Sequence, residues 1–202
     1  MAMTNVLMAG VGGQGIIVAS QALAAVALRS GLDVKKSDVH GMAQRGGSVV
    51  SHVRFGDKIY SPLIPDGEAD ILMASERLEA LRYLPFCRKG AGLVVNTQII
   101  PPPTVTSGQE PYPADILEKL RAFDPEMVAL DCLEIAREIG NPRTATVVLL
   151  GALSTKFSFN DKIWEDAVRE AVPAKAVEIN LKAFIAGSDR AIASRQSRRV
   201  GS

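Results

Sequence analysis

NVLMAGVGGQG, residues 5–15, runs from a short apolar stretch straight into a glycine-rich turn. An alanine-rich segment from Ile16 to Leu28 follows, so the stretch predicts a β-strand, a tight turn and a helix. Residues without a Cβ reach positive φ and let ligand atoms approach the main chain. The free amides and the positive end of the helix then attract phosphate or another anion. We expect that ligand at Gly10, Gly12, Gly13, Gln14 and Gly15; a turn that serves only close helix packing is the alternative.

The composition is that of one ordinary globular domain. The chain has 202 residues, of which 47% are hydrophobic and 22% charged. A net charge of +1 gives no electrostatic case for a nucleic-acid partner. Neither a secretion signal nor an apolar stretch of about 18 residues is found, so we expect no membrane span and a cytoplasmic location.

Short apolar segments alternate with helical ones along the chain. This pattern predicts an α/β, Rossmann-like fold with a mostly parallel sheet and helices on both faces. A second strand is predicted at 34–36, followed by a polar loop at 37–47. Alternation at 48–55 predicts a half-exposed strand that pairs with 59–61, through Gly56-Asp57, as an inserted β-hairpin.

The last residues differ in composition from the rest of the chain. Four arginines stand among small residues without apolar periodicity: Arg190, Arg195, Arg198 and Arg199. We therefore predict one domain over residues 1–187 and a flexible basic C-terminal tail over 188–202, with a docking arm as the alternative.

A second candidate for ligand contact is the run from His40 to Ser48, HGMAQRGGS. Arg45 followed by Gly46 and Gly47 can place a guanidinium and successive main-chain amides around one anion. His40 adds a titratable imidazole. A loop with a solvent-facing arginine is the alternative for Arg45.

A dinucleotide site of the usual kind requires an acidic residue about 20 positions beyond the last glycine of the turn. Lys35 and Lys36 stand there instead. Two lysines suit a phosphate, such as that on the ribose of coenzyme A, better than the bare ribose of NAD. A pair of solvated lysines is the alternative.

No constellation in the sequence predicts a catalytic or metal centre. No serine or cysteine nucleophile has a base at a suggestive spacing, and no cluster offers three metal ligands. Cys87 and Cys132 stand 45 residues apart, so the chain cannot hold a four-cysteine iron–sulfur cluster by itself.

Four segments together resemble a known family. They are the run from Gly10 to Gly15, the run from His40 to Ser48, Ser75-Glu-Arg-Leu-Glu-Ala80, and Val95-Asn96-Thr97. The chain is similar, from about Asn5 to Gly187, to the beta subunits of indolepyruvate:ferredoxin oxidoreductases, which belong to the gamma-domain group of 2-oxoacid:acceptor oxidoreductases. The HGMAQRGGSV run is the specific part, because the wider group usually replaces its His-Gly-Met portion.

The resemblance implies a subunit that carries none of the enzyme's cofactors. Thiamine diphosphate, Mg²⁺ and iron–sulfur clusters would be held by a larger alpha subunit, with ferredoxin as electron acceptor and coenzyme A as co-substrate. It implies that the substrate is indolepyruvate or another arylpyruvate and that the isolated chain is inactive. Two alternatives remain at this point: a gamma subunit for pyruvate, 2-oxoglutarate or 2-oxoisovalerate, and a free-standing NAD(P)-dependent dehydrogenase or nucleotide-binding module.

Overall fold

A six-stranded sheet forms the centre of the described part of the molecule. The computed structural model describes residues 3–40 and 47–200, without the side chains of His40 and residues 198–200. The strands lie in the order β2-β3-β1-β4-β5-β6. Their bounds are β1 (Thr4–Val11), β2 (Asp33–His40), β3 (Ser48–Gly56), β4 (Ala69–Ala74), β5 (Cys87–Asn96) and β6 (Val128–Leu130).

Helices cover both faces of this sheet. Within the described residues they are α1 (Ile16–Arg29), α2 (Arg77–Tyr83), α3 (Pro103–Thr106), α4 (Ile116–Phe123), α5 (Cys132–Ile139), α6 (Ala145–Ser154), α7 (Asp161–Ala171) and α8 (Val177–Val200). One core joins Val6 and Met8 of β1 to α1 and α5–α8, whereas Leu7 and Ala9 pack with α2 and α4. Because successive strand residues point to opposite faces, β1 contributes to both cores and is buried between them from Asn5 onward.

The sheet confirms the predicted fold class. β1 pairs in parallel with β4, β4 with β5, and β5 with β6, while β3 is antiparallel to both β1 and β2. The predicted partner of β3 was wrong: residues 59–61 form no strand. Both edges of β3 are already occupied by β1 and β2, so no hydrogen-bonding edge is left for a third strand.

Two boundaries also differ from the sequence prediction. β2 extends to His40, beyond the predicted end at Lys36, because each of its residues pairs across to β3. α8 continues past residue 187 to Val200, where a tail was expected. Ala191 is fully buried, and Arg190 and Arg195 donate hydrogen bonds to Glu138 and to the carbonyl of Thr155. The arginines therefore belong to a packed helix as far as these contacts extend; flexibility of the chain end stays a prediction.

Helices α6 and α8 approach each other through two glycines. A Cβ built on Gly151 would lie 1.9 Å from the carbonyl oxygen of Phe184, and one on Gly187 would lie 1.8 Å from that of Val148. Backbone therefore packs on backbone at this crossing. None of the helices in the described residues is long and apolar enough to cross a membrane.

Candidate functional site

The glycine turn lies at the carboxyl end of β1, in the middle of the sheet. Gly13 and Gly15 have φ of 97° and 87°, and Gly15 immediately precedes α1. Gly10 is needed for a different reason, since a Cβ there would lie 2.0 Å from Ser75 Oγ and 2.8 Å from Ile16 Cγ1. The structure thus brings the predicted glycines together and separates their roles: Gly10 allows close packing, and Gly13 and Gly15 allow the turn.

Gln14 is the side chain that fastens this turn. Its Oε1 accepts hydrogen bonds from the amide of Val11 at 2.8 Å and from Ser75 Oγ at 2.6 Å. Its Nε2 donates to the carbonyl of Ser75 at 3.1 Å, and its own carbonyl accepts from Thr146 Oγ1. A carboxamide used in this way has little capacity left for a ligand. The contacts of Gln14 shape the turn, and its predicted contact with a ligand stays a prediction.

The side-chain carboxamides of Asn96 and Gln98 extend the hydrogen bonds between Gln14 and Ser75 across the ends of the neighbouring strands. Asn96, buried at the end of β5, donates from Nδ2 to the Ser75 carbonyl at 3.0 Å and accepts at Oδ1 from the amide of Cys132 at 3.1 Å. Gln98 Oε1 receives Asn96 Nδ2 at 3.3 Å and Gln14 Nε2 at 3.5 Å. We call Gln14, Ser75, Asn96 and Gln98 the amide network. It ties the carboxyl ends of β1, β4 and β5 into one rigid platform.

Several main-chain amides of the turn remain available to a ligand. Gly12 N donates to the carbonyl of Gly47 at 2.8 Å, and Gln14 N to that of Val11 at 3.1 Å. Within the described residues, nothing accepts a hydrogen bond from the amides of Gly13, Gly15 or Ile16. A cleft of about 440 Å³ opens over them, lined by Val11, Gly12, Gly13, Gly15, Ile16, Ile17 and Val49. Exposed amides at a helix N-terminus are suited to bind an anion.

The second predicted site lies largely outside the described residues. Arg45 and Gly46 fall in the gap at 41–46, and of His40 only the backbone is described, as the last residue of β2. Gly47 is described, and its carbonyl receives the amide of Gly12. One end of the HGMAQRGGS run is therefore joined directly to the glycine turn, as a shared site requires.

The lysines at the predicted ribose position already have partners. Lys36 Nζ pairs with Asp38 Oδ2 and donates to Ser20 Oγ at 3.1 Å, and Lys35 pairs with Asp33 at 3.6 Å. Burial opposes ionisation of Asp38, but hydrogen bonds from Lys36 and Ser51 outweigh it and lower the pKa of the carboxyl. Both lysines therefore already contact a carboxylate, and a contact of either one with phosphate stays a prediction.

The position of β3 weakens the dinucleotide interpretation further. In a dinucleotide-binding sheet the second strand lies beside the first, and its end holds the ribose. Here β3 lies between β1 and β2, so β2 is displaced by one strand, about 5 Å, from the usual place. The turn therefore lacks the neighbouring strand end that would complete an NAD site.

Buried carboxyls organise the helix that follows β4. Glu76 caps α2 by accepting the amide of Glu79 at 2.9 Å, and its other oxygen receives Tyr112 OH at 2.6 Å. Burial and this carboxylate raise the pKa of Tyr112. Burial also raises the pKa of Glu79, which accepts a hydrogen bond from Ser48 Oγ and pairs with Arg82 at 3.1 Å. Ser48 is the last residue of the HGMAQRGGS run, so its contact with Glu79 holds the carboxyl end of this run against α2.

The two cysteines do not fit a metal cluster. Cys132, the first residue of α5, packs in the core on one face of the sheet, and Cys87 packs in the core on the opposite face. Burial raises the pKa of both thiols, that of Cys87 to about 12, whereas a metal ligand must be a thiolate. Among the described residues no group of three potential metal ligands occurs.

Four residues that build or line the site have no role predicted from the sequence. Ser75, Asn96 and Gln98 complete the amide network, and Arg143 lines two clefts beside the turn. Ser75 and Asn96 lie within segments that carried the resemblance, which was a usable signal. Gln98 and Arg143 carried none, because only the fold brings residues so distant in sequence to the turn.

Comparison with known proteins gives consistent matches along the chain. The pyruvate ferredoxin/flavodoxin oxidoreductase family matches residues 5–190. The chain is 43% identical over 197 residues to the indolepyruvate oxidoreductase subunit IorB of Archaeoglobus fulgidus, covering 96% of this chain and 98% of that one. It is 40% identical to the IorB of Pyrococcus horikoshii, covering 91% and 93%.

More distant relatives include longer chains. The ketoisovalerate oxidoreductase subunit VorA of Methanothermobacter marburgensis is 31% identical over 192 residues, and the match covers 92% of this chain but 36% of that one. Among solved structures, the gamma subunit of a keto/oxoacid ferredoxin oxidoreductase from Geobacter sulfurreducens superimposes with a TM-score of 0.70, 25% identity and coverage of 94% and 99%. The resemblance read from the sequence is confirmed: this chain belongs to the pyruvate ferredoxin/flavodoxin oxidoreductase family.

Proposed function

We propose that this chain is the cofactor-free subunit of a 2-oxoacid:ferredoxin oxidoreductase that oxidatively decarboxylates indolepyruvate or other arylpyruvates to aryl-acetyl-CoA. The observation that carries the proposal is 40–43% identity to IorB subunits over nearly the whole of both chains. Relatives with other substrates match less closely, such as the 2-oxoglutarate synthase subunit KorC of Methanothermobacter thermautotrophicus at 28%. We therefore take the substrate class from the IorB relatives rather than from the relatives that act on other substrates.

The chemistry of the reaction belongs to a larger alpha subunit in this proposal. Thiamine diphosphate with Mg²⁺ would supply decarboxylation there, and iron–sulfur clusters would pass electrons to ferredoxin. The donor set of this chain supports that division, because its two cysteines lie on opposite sheet faces with protonated thiols. The length of VorA, in which the matched region is 36% of the chain, fits a domain that works joined to further parts of an enzyme.

We assign the glycine turn and the HGMAQRGGS loop to coenzyme A or to the partner subunit. The free amides of Gly13, Gly15 and Ile16 offer hydrogen bonds to phosphate, and Gly47 links the loop to the turn. Arg45, with Gly46, would add a guanidinium there, and His40 a second polar contact. The amide network acts as the support that keeps these amides in place. A cytoplasmic location and ferredoxin as acceptor stay part of the proposal.

Reconstitution tests the function directly. The chain is co-expressed with the larger subunit, and coenzyme A-dependent ferredoxin reduction is measured with indolepyruvate, phenylpyruvate, pyruvate and 2-oxoglutarate. We expect the highest kcat/KM with the two arylpyruvates and no activity from this chain alone. A preference for pyruvate or 2-oxoglutarate would contradict the substrate, and reduction by the isolated chain would contradict the division of labour.

Arg45 tests the site within that enzyme. Arg45→Ala should leave the fold intact and weaken coenzyme A use or subunit binding by about 1.5–3 kcal/mol, the scale of a charged hydrogen bond. Arg45→Lys should recover only part of this, because an ammonium cannot reproduce a two-pronged guanidinium contact. If neither the KM for coenzyme A nor the subunit Kd changes in the alanine variant, Arg45 has no role in either contact.

A further inference from the structure

Strand β2 forms one edge of the sheet, and its outer side is open. It pairs with β3 over all eight of its residues, whereas β6 at the other edge has only three. In an antiparallel pair, every second residue directs its N–H and C=O groups away from the partner strand. Within residues 3–40 and 47–200, nothing forms a main-chain hydrogen bond with the outer side of β2. An edge of this length can therefore pair with a further strand.

Helix α1, which packs on β2 and β3, is apolar for a helix at the surface. Its only charged residue is Arg29, at its carboxyl end. Helix α7 packs beside α1 and exposes charged side chains, among them Lys162, Arg169 and Glu170. A helix that is apolar all round is normally buried on all sides. The outer side of α1 thus has the composition of an interface.

The exposed apolar residues of α1 border the open edge of β2. Ser20 lies over β2, since its Oγ receives Lys36 Nζ at 3.1 Å. Ile17, Ala24 and Leu28, which we call the α1 stripe, project beside Ser20 on one side of the helix, because 3.6 residues complete a turn. Ile17 is 39% and Leu28 64% exposed, and Ala24 is half-buried. The α1 stripe and the edge of β2 therefore form one continuous surface.

The charges of β2 complement those of a second β2 strand. Side chains directly opposite each other in an antiparallel pair lie on the same face, so a two-fold axis places one residue opposite its own copy. With Lys35, Lys36 or Asp38 in that position, two like charges face each other, which is destabilising. With Ser37 there, Lys36 faces Asp38 of the second copy on both sides of the axis. Registers centred nearer either end of the strand pair fewer residues.

This register also brings two copies of α1 into contact. Neighbouring strands are about 4.8 Å apart and α1 lies over β2 and β3, so the two helix axes would be about 10 Å apart across the joined strands. Packed helices have axes about 8–10 Å apart. Ser20 lies over Lys36, one residue from the axis, so Ile17 and Ala24 fall close to the axis as well.

We propose that this chain forms a two-fold symmetric dimer through β2 and the α1 stripe. The two β2 strands pair antiparallel with Ser37 on the axis, so that the two sheets become one continuous sheet. The two α1 stripes pack on each other over the joined strands. A second copy is the occupant because the charges of β2 complement themselves and because this one contact covers both the open edge and the stripe. The inference does not rest on the proposed function.

Sedimentation equilibrium of the full chain over a range of concentrations tests the dimer. We expect a monomer–dimer equilibrium in the wild type. Ala24→Glu should raise the dimer Kd at least about tenfold, because it places a carboxylate in an apolar contact. Ala25→Glu is the matched control: Ala25 is also half-buried, but it lies about 100° further round α1, away from β2. It should dimerise like the wild type, and thermal melts check that both variants are folded.

Disulfide cross-linking tests the register. Ser37→Cys places two thiols directly opposite each other, with Cα atoms about 4.5–5.5 Å apart, a distance that a disulfide spans. Lys35→Cys is the control, since its two copies would be offset by four residues, about 13 Å along the strands. The native Cys87 and Cys132 are buried. Under mild oxidation, Ser37→Cys should give a covalent dimer on a non-reducing gel, and Lys35→Cys should stay monomeric on the gel.

Three results would overturn the proposal. The first is a wild-type chain that is monomeric at every concentration. The second is a dimer whose Kd Ala24→Glu leaves unchanged, since the contact would then lie elsewhere. The third is cross-linking of Lys35→Cys as readily as Ser37→Cys, which contradicts the register.

The larger subunit is the other occupant that these experiments distinguish. If the wild-type chain is monomeric, and Ala24→Glu but not Ala25→Glu weakens binding to that subunit, the surface belongs to the larger subunit and the dimer is excluded. Dimerisation is measured without substrate and without enzyme activity. Failure of the proposed function therefore leaves the dimer standing, and failure of the dimer leaves the proposed function standing.

Discussion

The two ends of the sheet both use buried polar side chains, but with different results. At the carboxyl ends of β1, β4 and β5, the amide network fixes the glycine turn and leaves main-chain amides and two clefts beside it. At the opposite end, Arg54 donates to Asn5 Oδ1 at 2.9 Å and to the carbonyls of Ser61 and Leu63 at 3.1 and 2.7 Å. His52 Nδ1 accepts the amide of Ile64 at 3.2 Å.

This second set fastens residues 59–64, which we call the anchored segment, over the face of the sheet that packs with α2. Arg54 and His52 bind main-chain groups of this segment, and its residues do not line the cleft over the glycine turn. Buried polar side chains therefore stabilise the fold at the end of the sheet near Arg54, and they fix the geometry of the candidate binding site at the end near the glycine turn. A mutation at the anchored segment should therefore change stability alone, whereas one at the turn should also change ligand affinity.

Arg54→Ala should have the largest effect. Arg54 is 7% exposed, and its loss leaves the buried Asn5 Oδ1 and the carbonyls of Ser61 and Leu63 without this donor. We expect a loss of about 3–5 kcal/mol in the free energy of unfolding, measured by urea denaturation, since a hydrogen bond to a charged group contributes about 1.5–3 kcal/mol and Arg54 donates three of them to oxygen atoms. Arg88→Ala is the control, because that arginine is half exposed in its ion pair with Asp70 and should cost under about 1 kcal/mol.

The same variant tests the separation of roles. Below its melting temperature, Arg54→Ala should reconstitute with the larger subunit and show the wild-type KM for coenzyme A. A changed KM at unchanged subunit composition would mean that the two ends of the sheet are coupled.

Gly10→Ala should come next, because its Cβ would collide with Ser75 Oγ and Ile16. We expect a loss of about 2–3 kcal/mol, the scale of overpacking a core, together with weaker coenzyme A use in the assembled enzyme. Gly92→Ala on β5 is the matched control, since its Cβ would meet only the flexible end of Lys156 at 3.3 Å. If coenzyme A use is weakened in Gly92→Ala, or is unchanged in Gly10→Ala, the amide network is not the support of the site.

Gly13→Ala tests the need for a positive φ at the turn separately from the need for space around the backbone. Nothing lies within 4 Å of its added Cβ, but φ is 97°, so only backbone strain of about 1–2 kcal/mol is expected. Gly108→Ala carries similar strain, with φ of 75° and open space, and lines none of the clefts described above. Both variants should lose similar stability in thermal melts, while only Gly13→Ala should weaken coenzyme A binding. Equal affinities in the two variants would remove the turn from the site.

The smallest effect concerns pH. Burial, and then the nearby Arg54, lower the pKa of His52 below its usual 6.5. The unfolded chain therefore binds a proton at higher pH than the folded one, so the contribution of His52 is present above pH 6.5 and is lost as the pH falls below it. For one proton the slope is at most about 1.4 kcal/mol per pH unit.

His52→Asn keeps a hydrogen-bond acceptor for Ile64 but does not titrate. We expect its stability to fall less than that of wild type between pH 7 and 5, as measured by urea denaturation at each pH. Other groups, including Glu79 with its raised pKa, contribute to both proteins and cancel in the difference. Parallel curves for the two proteins would show that protonation of His52 does not affect folding.

Much of the central site could be predicted because it is local in sequence. Strand, turn and helix are contiguous from Asn5 to Leu28, and the need for glycine follows from backbone sterics alone. The alternation of apolar segments along the chain likewise predicted the α/β class, since hydrophobic period determines which faces are buried. The specific run from His40 to Ser48 predicted the family, which the comparisons confirm.

Only the tertiary structure decided which of these groups are free. The sequence could not show that the carboxamide of Gln14 would form hydrogen bonds with Ser75, 61 residues away. Nor could it show that Lys36 would form an ion pair with Asp38. Insertion of β3 between β1 and β2, and the arrival of Arg143 beside the turn, depend on long-range strand order and helix packing. The conformation of the turn follows from the backbone sterics of its glycines, which are local in sequence. Which groups around the turn stay available to a ligand depends on contacts between segments that are distant in sequence.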